Sequence, residues 1–333
     1  MRLPPFQYLG PTTKDQALDL MIRHQGKIKI VAGGTDIINR LRQRLVTPDY
    51  VMSLGGLAGF TGIREKKGQI VISAGTTLRE IIESPDISQA FKSISQSAGL
   101  VGAPPIQNIA TIGGNLLQDT RCLFYNQSQL VRDAAPHCLK QGGKVCQAIK
   151  GGKYCLSVYQ GDLAPSLIAF NAQAVLQKAG GSRTISVAEL FSGKGKNPLH
   201  INDDELLTDI MIPIPKGTYG SSYQKLRMRK GLEYPLASAS VFVSLSKKGV
   251  IEEARVVIGA VGPAPVLVEK ASSFLIGTRP DKAQVEKAAE AALRAAKPID
   301  NLALPGSYRR KMVTVFTKRA IEEALRDAQE ANV

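Results

Sequence analysis

Apolar and polar positions follow two periods along this 333-residue chain, and each change of period marks an element. Thr13-Lys14-Asp15-Gln16 reads as a capping box, with Thr13 as N-cap and Gln16 at the third helical position. Ala17, Leu20 and Met21 then share one helical face, and Gly26 ends the helix. Residues 27–32 alternate as a strand does and run into Gly33-Gly34-Thr35-Asp36. Ile37, Ile38, Leu41 and Leu45 resume helical spacing, so the unit is strand, glycine turn, helix. Residues 51–54 and 69–74 read as strands, and Gly75-Thr76-Thr77 leads into a helix over 78–82. A helix over 87–100 is broken by Gly102-Ala103-Pro104-Pro105.

Residues 121–160 lose this regularity. A loop of that length is costly to order, and a bound metal would offset the lost chain entropy. From Ala164 a helix or strand resumes, followed by a strand over 173–177 and a core segment over 205–214. Pro213-Ile214-Pro215-Lys216-Gly217 reads as a boundary, and 237–246 and 253–260 as strands. Two helices close the chain. Over 281–297, Val285, Ala288, Ala289, Ala292, Leu293 and Ala296 share a face. Over 307–328, with Ser307 as N-cap, the spacing points Tyr308, Met312, Val315, Ile321 and Leu325 inward and leaves Arg309-Arg310-Lys311 solvated.

Apolar residues make up 44% of the chain, as in globular proteins. No apolar run approaches the roughly 20 residues of a membrane span, and residues 1–5 lack a secretory apolar core. The expected setting is cytoplasmic. The 43 Lys and Arg against 28 Asp and Glu give +15, which favours an acidic partner. Nucleic acid is disfavoured: no binding module is recognisable, aromatics are 5% and Trp is absent.

Candidate chemistry gathers in three places. In Ala32-Gly33-Gly34-Thr35-Asp36, two glycines expose backbone N–H groups and Thr35 adds a hydroxyl, as a phosphate cradle or a tight turn would. Ala110-Thr111-Ile112-Gly113-Gly114-Asn115-Leu116 repeats that chemistry, so the pair suits a pyrophosphate gripped from two sides. Cys122, Cys138, Cys146 and Cys155 are the chain's only cysteines, with gaps of 15, 7 and 8 residues. Wide spacing disfavours a zinc finger without excluding zinc. Four sulfurs suit a [4Fe–4S] cluster, and disulfides or free thiols remain alternatives. His137 beside Cys138 reads as a loop histidine, and His24 and His200 as surface residues. Lys225, Arg227, Arg229 and Lys230 alternate along one segment, either as a solvated strand edge or facing an anionic cofactor.

The motifs AGGTD at 32–36, ATIGGN at 110–115, GDLAP at 161–165 and SYRR at 307–310 together resemble the FAD-binding medium subunit of the xanthine dehydrogenase, or molybdenum hydroxylase, family. The resemblance spans essentially the whole chain. It implies an α+β fold: a two-subdomain FAD-binding domain of the PCMH type (vanillyl-alcohol-oxidase-like), then a C-terminal α+β domain of the CO-dehydrogenase flavoprotein type. The expected limits are 1–58, 59–216 and 217–333. It implies FAD pyrophosphate held by Ala32, Gly33, Gly34, Thr35 and Asp36, with Val31 just before them, and approached by Thr111, Gly114 and Asn115. Asp162 would bind ribityl hydroxyls, Lys225 would lie near the flavin, and Gln118 is a further candidate. Family members often carry Gln-Ile-Arg-Asn before the second loop. Here Pro105-Ile106-Gln107-Asn108 stands there, without the arginine.

The insert between Arg121 and Gly161, absent from most members, resembles that of the β subunit of 4-hydroxybenzoyl-CoA reductases. A related arrangement occurs in periplasmic aldehyde oxidoreductases. The resemblance implies that Cys122, Cys138, Cys146 and Cys155 ligate a [4Fe–4S] cluster taking electrons from ferredoxin. The partners would be a large molybdopterin subunit and a small [2Fe–2S] subunit, as a dimer of heterotrimers. The substrate site would lie off this chain.

Overall fold

The computed structural model describes residues 2–279 and 281–330; the domain limits expected at Met1 and Val333 lie outside them. Three sheets follow one another along the chain. The first holds β1 (Gln7–Leu9), β2 (Ile28–Val31) and β3 (Tyr50–Ser53), all parallel in the order β1-β3-β2. The second is antiparallel, in the order β4-β5-β8-β6-β7. Its strands are β4 (Ile63–Lys66), β5 (Gln69–Ser73), β6 (Gln173–Lys178), β7 (Gly181–Ser186) and β8 (Leu206–Pro213). The third, also antiparallel, runs β12-β11-β10-β9 from β9 (Thr218–Leu226), β10 (Ala237–Leu245), β11 (Ile251–Gly259) and β12 (Val266–Leu267). The second glycine loop and the cysteine-rich segment both lie in the excursion between β5 and β6.

One core serves the first two sheets. Met52, Ile72, Leu78, Phe91, Ile112, Leu163 and Ile210 are fully buried in it. A second core packs Val241, Ile258, Ala288 and Val313 between the third sheet and the last two long helices. The capping box at Thr13 forms, and Thr77 with Glu80 and Asp281 with Gln284 build two more. Each fixes a helix start by satisfying N–H groups that would otherwise be orphaned, worth about 1 kcal/mol. The helix expected over 87–100 is two, Pro85–Ala90 and Lys92–Gly99. The break puts Phe91 in the core, where its ring meets Phe170 edge-on at 5.1 Å. Among the described residues, no helix is long and apolar enough to cross a membrane.

The last helix departs from its apolar pattern. It begins at Gly306, whose N–H donates to Asp300 at 2.6 Å, so Asp300 supplies the cap expected from Ser307. Its buried seam is Arg309, Val313, Thr317, Ala320, Ile321, Ala324 and Ala328, and Tyr308 is exposed. The small residues let the helix lie close on β9 and β10. Arg309 is not on a solvated face. It is fully buried and donates to the carbonyls of Leu236 (2.7 Å), Ile299 (3.1 Å) and Ala260 (2.6 Å). Desolvation pulls its pKa down to about 10.

Candidate flavin cleft and cysteine cavity

β2 delivers the first glycine loop from an edge of the parallel sheet, at the carboxyl end of the strand, where ligands gather in open parallel sheets. Gly34 adopts φ +74°, which a side chain would strain. A Cβ on Gly33 would sit 1.8 Å from the Ile109 carbonyl oxygen, so glycine is required where the two loops touch. Among the described residues, the N–H groups of Gly33, Gly34, Thr35 and Asp36 find no protein acceptor. Free donors in such a turn suit an anion.

The second loop works differently from the first. Thr111 caps a short helix, Ile112–Leu116, and its hydroxyl accepts the Gly114 N–H at 3.1 Å. Ile112, Gly113 and Asn115 donate to Thr76, Ala74 and Thr111 carbonyls at 3.0, 2.9 and 2.9 Å. Its amides are therefore consumed by the fold instead of offered to a ligand. What the loop contributes is room: a Cβ on Gly114 would meet only the Thr111 hydroxyl, at 3.0 Å.

Two clefts meet at these loops. The larger, about 1560 Å³, follows the first loop and Thr111 toward Leu199 and Leu207. The other, about 920 Å³, is bounded by Asn115, Gln160, Asp162 and the Leu232-Glu233-Tyr234 segment after β9. Thr35, Asp36, Gly114 and Gln118 border both. The joined groove fits an elongated ligand with its anionic middle at the first loop. Val31 and Lys225 border neither cleft.

Lys225 is buried, with Nζ 2.9 Å from Asp162 Oδ1, and donates to the Leu100 and Glu233 carbonyls at 2.8 and 2.9 Å. It thus holds Asp162 and the segment after β9. Tyr223 donates to the same carboxylate at 2.8 Å. Burial pushes the Asp162 carboxyl up, and Lys225 and Tyr223 counter it. The four basic residues expected to alternate on one strand do not share a face. β9 ends at Leu226, and Arg229 stands out into solvent. Gln107, at the position of the arginine in Gln-Ile-Arg-Asn, donates to the Gly99 and Val101 carbonyls at 2.9 and 3.1 Å.

The four cysteines come together although the sequence separates them widely. They line one small cavity with Phe124, Tyr125, Leu139, Lys140, Ile299 and Asn301 among its walls. All four thiols are free, Cys138 buried and the others half-buried. Among the described residues, no three cysteine, histidine or carboxylate side chains converge on a point where a single metal ion would sit. Burial pushes the Cys122 thiol up to about 11, and negative charge on the other three sulfurs adds to that. His137 is exposed and outside the lining.

Charged side chains that sequence reasoning missed join cleft and cavity. Arg121, next to Cys122, pairs with Asp36 of the first loop at 2.5 Å and lies 3.9 Å from the Tyr234 ring centroid. Arg40, on the larger cleft, and Lys140, in the cavity wall, share Asp119 at 3.0 and 2.6 Å. The buried Arg132 donates to the Gln43 and Arg44 carbonyls, both at 2.9 Å. The Nε atoms of Arg40 and Arg121 are buried without a partner. Arg40 on the larger cleft and the free amides in the first loop fit a bound pyrophosphate. The short run Asp119-Thr120-Arg121 was the only signal that could have pointed to this bridge.

Comparison with known proteins agrees with this architecture. Residues 4–215 match the FAD binding domain in molybdopterin dehydrogenase, and residues 221–324 match the CO dehydrogenase flavoprotein C-terminal domain. The carbon monoxide dehydrogenase medium chain of Afipia carboxidovorans is 28% identical over 320 residues, 96% of each chain. The nicotinate dehydrogenase FAD-subunit of Eubacterium barkeri is 26% identical, covering 82% of this chain and 80% of that one. The solved structure of reconstituted CO dehydrogenase from Oligotropha carboxidovorans superposes with a TM-score of 0.81 at 26% identity, covering 98% of this chain and 100% of that one.

Proposed function

This chain belongs to the FAD-binding family of molybdopterin dehydrogenases and is an oxidoreductase subunit, and from that premise we propose that it carries FAD and a [4Fe–4S] cluster and passes electrons between them. The observation that carries the proposal is the convergence of four free cysteines on one cavity tied to the flavin cleft through Asp119. Four cysteines lining one cavity suit a cubane, whose ligands are spread wider than those of one tetrahedral ion.

Ala32, Gly33, Gly34, Thr35 and Asp36 would hold the pyrophosphate. Thr111, Gly114 and Asn115 would form the facing wall, with Gln118 between the clefts and Asp162 beside the ribityl chain. Lys225 would act by holding Asp162. FAD, when bound, converts between one- and two-electron transfer. This chain's own residues orient it, fix its anion and keep its polar contacts away from water.

The cysteine insert favours a 4-hydroxybenzoyl-CoA reductase as the parent complex. Two electrons and two protons there replace a phenolic hydroxyl by hydrogen and release water. The partners in this reading are a large molybdopterin subunit and a small [2Fe–2S] subunit, paired as a dimer of heterotrimers, in the cytoplasm. Ferredoxin is the donor. Lys144, Lys150 and Lys153 are exposed around Cys146 and Cys155, and Asp133 is the one acidic residue between 122 and 157. That surface suits an acidic carrier. Relatives acting on nicotinate and carbon monoxide support a second reading, an oxidative medium subunit for an aldehyde or N-heterocycle. Supplying the purified complex with a reduced dye and 4-hydroxybenzoyl-CoA separates the two, since only the first releases benzoyl-CoA.

Cys146→Ser tests the cluster directly. The variant is expected to lose most of its iron and sulfide while keeping most of its FAD, measured on anaerobically purified protein. Unchanged iron and sulfide would remove Cys146 from the ligand set.

A further inference from the structure

We infer that Lys140 sets the reduction potential of the centre held by the four cysteines, an inference that rests on the cluster reading above. Lys140 is the one charged side chain among the described residues that line the cavity. The other walls are the cysteines, apolar groups, amides, a tyrosine and a serine. The Lys140 side chain is 6% exposed, so bulk water does little to screen it. Its ammonium is held in place by three contacts: Asp119 Oδ1 at 2.6 Å, Thr120 Oγ1 at 2.6 Å and the Thr120 carbonyl at 3.3 Å. It also lies 5.1 Å from the Tyr125 ring centroid, and Tyr125 is itself a wall of the cavity.

One-electron reduction adds one negative charge to the centre and consumes no proton at Lys140. A fixed cation in the wall stabilises that charge more than it stabilises the oxidised form. Its effect is to raise the potential, by the same electrostatics that make cluster potentials follow local charge and solvent exposure. Asp119 works against it. The carboxylate offsets part of the ammonium's charge, but it is divided between Lys140 and Arg40. Removing Lys140 therefore leaves Asp119 paired, with no stranded buried charge. Removing the Asp119 charge instead uncovers Lys140. The two changes must move the potential in opposite directions, a signature that a merely structural role would not give.

The test uses the full chain in its complex, purified anaerobically, with FAD and iron counted and the centre titrated by EPR. For Lys140→Met the expected result is retained FAD, about four irons and a more negative midpoint. The shift should be roughly tenfold in the oxidised-to-reduced ratio at fixed potential, about 59 mV for a one-electron couple. Lys140→Arg should keep most of the native value, and Asp119→Asn should move it upward. An unmoved midpoint in Lys140→Met with its irons in place overturns the inference. Should Lys140→Met fail to hold iron, an Asp119→Asn midpoint at or below the native one overturns it instead. Native protein without iron would sink the cluster reading itself, which is a different result.

Discussion

At the scale of single residues, the two glycine loops have different jobs. Gly33 is fixed by the second loop, whose Ile109 carbonyl leaves no space for a Cβ. Gly114 is fixed by the cleft, since only the Thr111 hydroxyl lies near its missing side chain. Both Gly33→Ala and Gly114→Val are expected to lose most of their FAD, read as flavin absorbance after gel filtration. Gly33→Ala should also lower the melting temperature, because it forces two packed loops apart. Normal flavin occupancy in Gly114→Val would remove the second loop from the binding site. The glycines, Thr35, Asp36 and Thr111 were legible in the sequence because unusual residue types stood together there. The satisfaction of the second loop's amides was not legible. It depends on the carbonyls of Ala74 and Thr76, which the fold brings across from the end of β5. Lys225 was legible as charge and illegible as a buried partner of Asp162, for the same reason.

At the scale of elements, apolar spacing located most strands and helices, and buried charge defeated it where it failed. The helix Gly306–Glu330 turns an arginine inward because three backbone carbonyls neutralise the cost of burying it. Arg309→Met should cost at least about 3 kcal/mol, since a charge-assisted hydrogen bond is worth about 1.5–3 kcal/mol and three acceptors are stranded together. The loss should appear as a lower melting temperature with iron content unchanged. A variant as stable as the native protein would show that those carbonyls find other donors. On β7, Arg183 donates to Glu205 at 2.6 and 2.8 Å and holds its carboxyl below the usual range. That contribution is present above the unfolded-state pKa. It fades as acid carries the pH through the depressed folded value. The stability gap between native protein and Arg183→Met should therefore be present at neutral pH and close in acid. A gap that persists at pH 2 would contradict the ion pair as its source. The exposure of Arg183 keeps this effect modest.

At the scale of the whole molecule, three sheets place one groove and one cavity side by side. The first sheet delivers the anion-binding loop, and the excursion between β5 and β6 supplies both the facing wall and the cysteines. Two loops of the C-terminal part close the ends, Tyr234 between β9 and β10 at the cleft, and Ile299 and Asn301 between the last two long helices at the cavity. The motifs made the family legible before any contact was known. The bridge through Asp119, Arg40, Arg121 and Lys140 was not legible, because common charged residues carry no pattern until folding pairs them. That bridge helps order a cysteine segment whose regular structure is one short helix, Gln129–Asp133, and a single 3-10 turn, Leu139–Gln141. Arg132 tethers it to the Gln43 carbonyl, and Asn301, ahead of the last helix, holds its Leu156 carbonyl.

In the proposed function this one chain holds a flavin and an iron–sulfur centre together. The most direct test is the FAD, iron, sulfide and zinc content of anaerobically purified protein, with an EPR spectrum after reduction. The expected result is about one FAD with about four iron and four sulfide, and a signal from a reduced cluster. Zinc without iron, or FAD alone with all four thiols titratable, would contradict it.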